Sequence, residues 1–497
     1  MDRRRFLKTA SLSALAAGVL PGAEALATGT KPVGAGASSA AATAGLAKAD
    51  YTLRIATGVL ELAKDKFVST TLYNGDFPGP LLRFKEGQRV AVDVFNDTDH
   101  AEQVHWHGQF LPDSEDGAFE ERTPPVPAHG HRRLVFTPKP SGLRFYHTHV
   151  RAGDNLARGT YTGLAGPVFI EPKHFAGAYD REVFLTLKEF QPYLNRVDSD
   201  SPFIRPSGME MDLITVAAKS DPNAGKVPPG YELAYGAFSI NGKSLGHGEP
   251  IRVKRGERVM LHVVNASATE NRSLALPGHT FKVVALDGNP VPHPAEVPVL
   301  WLGTAERVSA IVEMNHPGIW VLGDTADSDR ENGMGVVVEY AGASGKPQWQ
   351  APPKFMWDYR LFADPSRKVR APDEVIDMLI TARQSAAHGF DQYAINGVPY
   401  DWKTMPVTRK LKLGRRYRLR FRNASDDIHP LHLHRHTFEL TGLHGHPTAG
   451  VMKDVVLVPP FQTVEVDFTA DMPGLTLFHC HMQVHMDFGF MALFETV

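Results

Sequence analysis

The sequence predicts an all-β protein made of three tandem Greek-key β-sandwich domains. Three observations carry this. One phrase recurs at residues 73–95, 239–264 and 394–421: an Asn-Gly pair, an apolar stretch, a basic G-x-R turn, then a strand of alternating apolar and polar residues. Asn-Gly signals a tight turn, and a period of two marks a half-buried strand. The chain has 497 residues, enough for three units of about 150 residues each. Glycine and proline are plentiful, at 44 and 37, and few helices of any length are visible, as suits a turn-rich β chain.

The parts follow in chain order. Residues 1–27 have a basic start, a modest apolar run and an A-x-A pattern at Ala25-Leu26-Ala27. The run is too short to cross a bilayer, so it reads as a secretory signal. Arg3-Arg4 followed by Phe6-Leu7-Lys8 resembles a twin-arginine export signal; the plainer alternative is a general signal with incidental arginines. Residues 28–48 are rich in Ala, Gly, Ser and Thr and read as a flexible tether. The sandwich domains are expected at 49–175, 176–345 and 346–497, the second cut falling in the linker "AGASGKPQWQAPP". The mature protein is then periplasmic or secreted, delivered by the twin-arginine machinery, without a membrane span. A net charge of −2 gives no reason to expect nucleic acid or an anionic membrane as partner.

The ends of the repeats align without gaps. The third copy reads Pro473-Gly474, four residues, then His479-Cys480-His481; the first reads Ser141-Gly142, four residues, then His147-Thr148-His149; the second reads Pro317-Gly318, four residues, then Gly323-Asp324-Thr325. Upstream, "HPLHLHRHTF" at 429–438 aligns with "RSLALPGHTF" at 272–281, and "HWHG" at 105–108 stands where the third copy has "HLHR" at 432–435. The middle copy keeps the frame and loses the histidines. The fold therefore does not need them.

Four H-x-H segments result: His105/His107, His147/His149, His432/His434 and His479/His481. On a strand, residues i and i+2 face the same side, so each pair offers two imidazoles to one metal or to two adjacent metals. His429, Cys480 and His485 remain, with Cys480 facing away from its two neighbours. Two histidines and a thiolate form the trigonal set of a blue-copper electron-transfer site. The lone cysteine of an exported chain also cannot close an internal disulfide. Zinc suits His and Cys, but eleven ligands are too many for one tetrahedral site. Iron remains an alternative, although its common non-haem site also uses a carboxylate. Any single H-x-H is accounted for equally well as a solvated or hydrogen-bonded pair, and "HGH" at 129–131 and 444–446 reads that way.

On the motifs "HWHG", "YHTH", "HPLHLH" and "HCHMQVH", in that order, the chain resembles the three-domain multicopper oxidases of the laccase-like bacterial group, over essentially the whole mature chain. The resemblance implies cupredoxin-like sandwiches and four copper ions, one type 1, one type 2 and two type 3. His429, Cys480 and His485 would bind the type 1 copper, and His105 and His432 the type 2 copper. His107, His149 and His481, with His147, His434 and His479, would bind the type 3 pair. The cluster would lie between domains 1 and 3, reducing O2 to water with electrons from a small-molecule or metal-ion reductant.

Departures from the family pattern matter as much. Phe490 stands at the axial position where many relatives have Met, and it cannot coordinate; Met491 would point to the other face. Asp116, in "DSEDG", matches an acidic residue that relatives use as a proton donor, with Asp113 and Glu115 as register alternatives. Met486 replaces the glutamate that often follows the last histidine, with Asp487 next, which puts a second proton route in doubt. Arg435 stands where glycine is common. Among the 14 methionines no Met-rich insert is visible, and "GMEMD" at 208–212 is the nearest candidate. The leading expectation is oxidation of phenolic or similar aromatic reductants. The alternatives are a metallo-oxidase for Cu(I), Fe(II) or Mn(II), and a copper-free scaffold on the same fold.

Overall fold

The structure, a computed structural model, describes residues 48–172, 179–197, 230–384 and 389–497. The signal at 1–27, the tether up to residue 47, the cut at 175 and "GMEMD" lie outside the described residues. The described residues form six sheets, in pairs along the chain. Residues 51–171 form two four-stranded sheets; 181–340 form a six-stranded and a five-stranded sheet; 374–496 form a seven-stranded and a five-stranded sheet. The described α-helices are single turns at Asp113–Asp116, Asp327–Glu331 and Gln483–Asp487. No described helix is long and apolar enough to cross a membrane.

The recurring phrase has a physical cause at each position. Asn74-Gly75, Asn241-Gly242 and Asn396-Gly397 all take positive φ, as a tight hairpin turn requires. Each asparagine also reaches across. Its Oδ1 accepts from the backbone N–H of Arg54, Thr186 or Leu379, and its Nδ2 donates to the carbonyl of Thr52, Phe184 or Asp377. A second asparagine ends the alternating strand in every copy: Asn96, Asn265 and Asn423, all buried. Their Nδ2 groups satisfy the carbonyls of the following corner, and their Oδ1 atoms accept from Thr98, Ser267 and Ser425 two residues on.

Strand register agrees with the sequence alignment of the copies. His105 pairs with His147, Ala275 with Gly323, and His432 with His479. Each sandwich thus brings two aligned segments side by side at one ladder position. Three residues before the first member and one after the second lies another equivalent pair, and it differs in every copy. In the first, Thr148 Oγ1 donates to Glu102 at 2.9 Å. In the second, Arg272 faces Asp324 at 3.8 Å and pairs closely with Asp329. In the third, the pair is His429 and Cys480, and His485 stands where the second copy has Asp329. The fold tolerates a hydrogen bond, an ion pair or a His–Cys set at one buried place, provided the polar groups satisfy each other.

Candidate metal centre

Cys480 ends the strand Gly474–Cys480, and His429 begins the neighbouring strand His429–Leu433. His485 sits on the helical turn Gln483–Asp487 that follows. Cys480 Sγ lies 3.8 Å from His429 Nδ1 and 3.4 Å from His485 Nδ1, and the two nitrogens are 3.2 Å apart. All three residues are buried. Ser425 sets the tautomer of His429. Its hydroxyl donates to Asn423 Oδ1 at 2.8 Å and so accepts from His429 Nε2–H at 2.7 Å, which leaves Nδ1 a bare lone pair aimed at the thiol. The Phe490 ring is buried, 4.9 Å from the His429 ring. Tyr393 stacks on His485 at 4.1 Å and donates to Asp427 at 2.9 Å. Met491 packs instead with Leu477 and Leu493.

The other eight histidines form a second cluster. Alternation on extended backbone brings each H-x-H to it, and Cys480 faces the other way, as the strand period requires. The six expected at a metal pair sort into two trios. His147 Nε2 lies 3.4 Å from His107 Nδ1 and 3.3 Å from His481 Nε2; His479 Nε2 lies 3.4 Å from His149 Nε2 and 3.1 Å from His434 Nε2. This crosses the trios in which the resemblance names them, because His147 and His149 point to different ends of the cluster. The remaining two, His105 and His432, have buried Nε2 atoms with no hydrogen-bond partner. Such atoms are costly to bury unless something binds them.

Six of the eight outward nitrogens are held; His149 Nδ1 and His481 Nδ1 have no hydrogen-bond partner. His105, His147, His432 and His479 donate Nδ1–H to the carbonyls of Asp116, Thr148, Asp454 and Cys480. His434 Nδ1 donates to Asp116 Oδ2 at 2.8 Å, and His107 Nε2 to Asp454 Oδ1 at 3.1 Å. Each bond fixes a tautomer and leaves the inward nitrogen as an acceptor. Burial first, then repulsion between neighbouring rings, holds His107, His147, His149, His432, His434 and His481 well below the ordinary imidazole value. Burial brings His485 down to about 3. Neutral rings keep their lone pairs, so the donor set fits soft or borderline metal ions and fits copper in particular.

Asp116 is fully buried against His434 and His105, with Glu121 beside it. Burial opposes its charge, but His105, Glu121 and Arg435 outweigh burial and hold it low. Burial and the Asp116 charge push Glu121 well up. Of the two carboxyls, Glu121 is the one that holds a proton more readily. Glu120 Oε2 lies 3.9 Å from His149 Nδ1, and burial raises its carboxyl to about 7. Asp487 accepts from the N–H groups of Ala152 and Gly153, and Met486 lies in an apolar cluster with Tyr400 and Leu477. Arg435 is explained too. At φ 58° it buries its guanidinium and donates to the carbonyls of Leu111 and Pro473 at 2.8 Å, tying the loop before Asp116 to the strand leading to Cys480. Sequence reading missed Glu120, Glu121, Ser425 and Asp454. Only Ser425 left a signal, as the repeated N-x-[ST] of Asn423-x-Ser425.

Three sequence profiles described as multicopper oxidase match residues 55–174, 214–340 and 370–497. The chain is 29% identical to the multicopper oxidase MmcO of Mycobacterium tuberculosis, over 98% of this chain and 96% of that one. The laccase structure from Botrytis aclada superposes with a TM-score of 0.71 at 18% identity, over 90% of this chain and 87% of that one. A Campylobacter jejuni multicopper oxidase described as a metallo-oxidase gives 0.66 at 22%, over 90% and 91%.

Proposed function

Because this chain belongs to the multicopper oxidase family, we propose that its eleven ligand candidates hold four copper ions. The chain is a laccase-like, copper-dependent oxidase with cupredoxin-like β-sandwiches, taking electrons from a reductant and passing them to O2. Type 1 copper belongs to His429, Cys480 and His485, and type 2 to His105 and His432. The type 3 ions belong to the trios His107/His147/His481 and His149/His434/His479. The observation that carries this is the set of bare inward nitrogens, above all the unpartnered Nε2 atoms of His105 and His432. Bound copper would supply single-electron uptake at the Cys480 site and O2 reduction at the histidine cluster.

The chain's own residues do the rest. Cys480 is covalently joined to His479 and His481, and its carbonyl accepts from His479 Nδ1 at 2.8 Å. The path from electron entry to the cluster therefore runs through one residue. Protons come from the Asp116–Glu121 pair on one side and from Glu120 on the other. Glu120 takes the part that Met486 cannot, given its 3.9 Å approach to His149. Asp116→Asn should lower O2 turnover near neutral pH by about 10²-fold or more, since proton transfer through a positioned side chain contributes about 10²–10⁴-fold; unchanged turnover would exclude the relay.

The domain division at 175 and 346 is supported by the way the sheets pair along the chain. Export through a twin-arginine-type signal to the periplasm or beyond rests on Arg3-Arg4 and the Ala25-Leu26-Ala27 pattern. The favoured reductants are phenols and similar aromatics. A metallo-oxidase is the second reading, favoured by the carboxyls near Tyr393: Asp391, raised to about 6 by burial and by Asp427 and Asp426. O2 uptake by copper-loaded protein against phenols, Cu(I), Fe(II) and Mn(II) separates the two. No uptake with any of them, despite full copper content, would defeat both.

A further inference from the structure

We propose that the middle sandwich, which carries none of the eleven ligand candidates, positions part of the copper cluster: Arg307, acting through Asp454, fixes the tautomer of His107 and the aim of His107 and His432. The inference rests on the ligand assignment above. Asp454 serves two ligands from different domains. Its Oδ1 accepts from His107 Nε2–H at 3.1 Å, and its backbone carbonyl accepts from His432 Nδ1–H at 2.8 Å. The two rings stack with centroids 3.8 Å apart and planes 14° apart. His107 is the one imidazole of the eight described that turns Nδ1 inward in this way, and Asp454 is what makes it do so.

Asp454 is itself held from the middle sandwich. Arg307 grips it with both prongs, Nη1 to Oδ1 at 2.5 Å and Nη2 to Oδ2 at 2.6 Å, while Arg144 of the first sandwich reaches Oδ2 at 3.2 Å. All three side chains are fully buried. Arg307 is fixed by the Asp287-Gly288 turn, both residues at positive φ. Its backbone N–H donates to Asp287 Oδ1 at 3.0 Å, and its Nη2 donates to the Asp287 carbonyl at 3.2 Å. The same turn locks onto both copper-bearing sandwiches. Asp287 Oδ2 accepts from Val455 N–H at 3.1 Å and pairs with Lys453 at 2.8 Å. A Cβ on Gly288 would come within 2.5 Å of the Leu143 carbonyl, so the turn is seated directly on the strand leading to His147.

Removing Arg307 leaves Asp454 as a buried carboxylate short of its forked partner. The carboxylate then turns toward other donors, and His107 is free to carry its proton on Nδ1, the nitrogen that faces the cluster. Arg307 is thus a positioning residue. The test uses the full chain loaded with copper, comparing wild type with Arg307→Lys and Arg307→Met. Copper per chain, the type 2 electron paramagnetic resonance signal and the visible thiolate band are followed during chelator challenge. The expected result is cluster copper released 10- to 100-fold more readily in Arg307→Met, as loss of such supporting bonds costs about that much. The Cys480 band should stay at its wild-type intensity. Arg307→Lys, with a point charge and no fork, should fall between. Wild-type copper retention and an unchanged type 2 signal in both variants would overturn the proposal. So would loss of the thiolate band in step with cluster copper, which would mark Arg307 as general packing. A wild-type chain with a thiolate band and no cluster copper would overturn the ligand assignment itself, and this proposal with it.

Discussion

Ser425→Ala isolates one hydrogen bond at the proposed electron-entry site. The hydroxyl lies between Asn423 Oδ1, at 2.8 Å, and His429 Nε2, at 2.7 Å, in a buried place. Asn423 Oδ1 keeps the Ser425 backbone N–H at 2.9 Å, so it is not orphaned by the change. His429 Nε2–H is, and a buried unsatisfied donor costs about 1–3 kcal/mol. The ring can escape that cost by moving its proton to Nδ1, which lies 3.8 Å from Cys480 Sγ, and there it blocks the lone pair a metal needs. That escape is open only to the copper-free protein, because copper needs the Nδ1 lone pair, so binding has to give back up to the full cost. At about 1.4 kcal/mol per factor of ten, copper affinity at this site should fall roughly 10- to 100-fold, in line with the usual effect of losing a bond behind a ligand. The assay is copper titration of the copper-free protein, followed by the thiolate absorption band, with Ser425→Thr as the control that keeps the hydroxyl. A Ser425→Ala affinity within twofold of wild type would refute the reasoning.

Phe490→Met should supply a weak axial ligand and lower the type 1 reduction potential by about 59 mV or more, one decade in the one-electron equilibrium; redox titration of the visible band checks this, and an unchanged or higher potential would remove Phe490 from the axial position. Glu102 is raised from 4.5 to about 7, by burial above all. A raised folded value means its contribution to stability is fully present below pH 4.5 and is lost as pH climbs through 7. Over that window Glu102→Gln should therefore become more stable relative to wild type, by on the order of 3 kcal/mol at pH 8, as read by denaturant melts of the copper-free proteins; parallel pH curves would contradict it. Arg272→Met should destabilise the chain by about 3–5 kcal/mol, since it strands Glu189, Asp324 and Asp329 around a buried gap; a loss under about 1 kcal/mol by the same melts would show that the ion pairs at that place are replaceable.

Much of the fold could be read from the chain because it is written locally and three times over. The Asn-Gly turns and the alternating strands depend on neighbours a few residues away, and each copy states them again. The H-x-H pairs were legible for the same reason, since a period of two fixes their direction on any strand. The supporting residues were not. Asp454 meets His107 across 347 positions, and Glu121 meets the N–H of Leu477 across 356. No local pattern marks such partners. Arg435, unexplained as a departure from the usual glycine, needed only its three-dimensional neighbours to make sense.

The sequence by itself determined the all-β class, the repeat frame, the identity of the donor atoms and the opposite facing of Cys480 and its histidines. These follow from backbone sterics and strand period, which act over a few residues. Only the tertiary structure decided how the eight imidazoles sort, which nitrogen of each faces inward and which carboxyls burial raises beside them. Those are settled by buried carbonyls, carboxylates and guanidinium groups brought from distant parts of the chain. Once water is excluded, every such polar group must find a partner, and the partner it finds fixes the site.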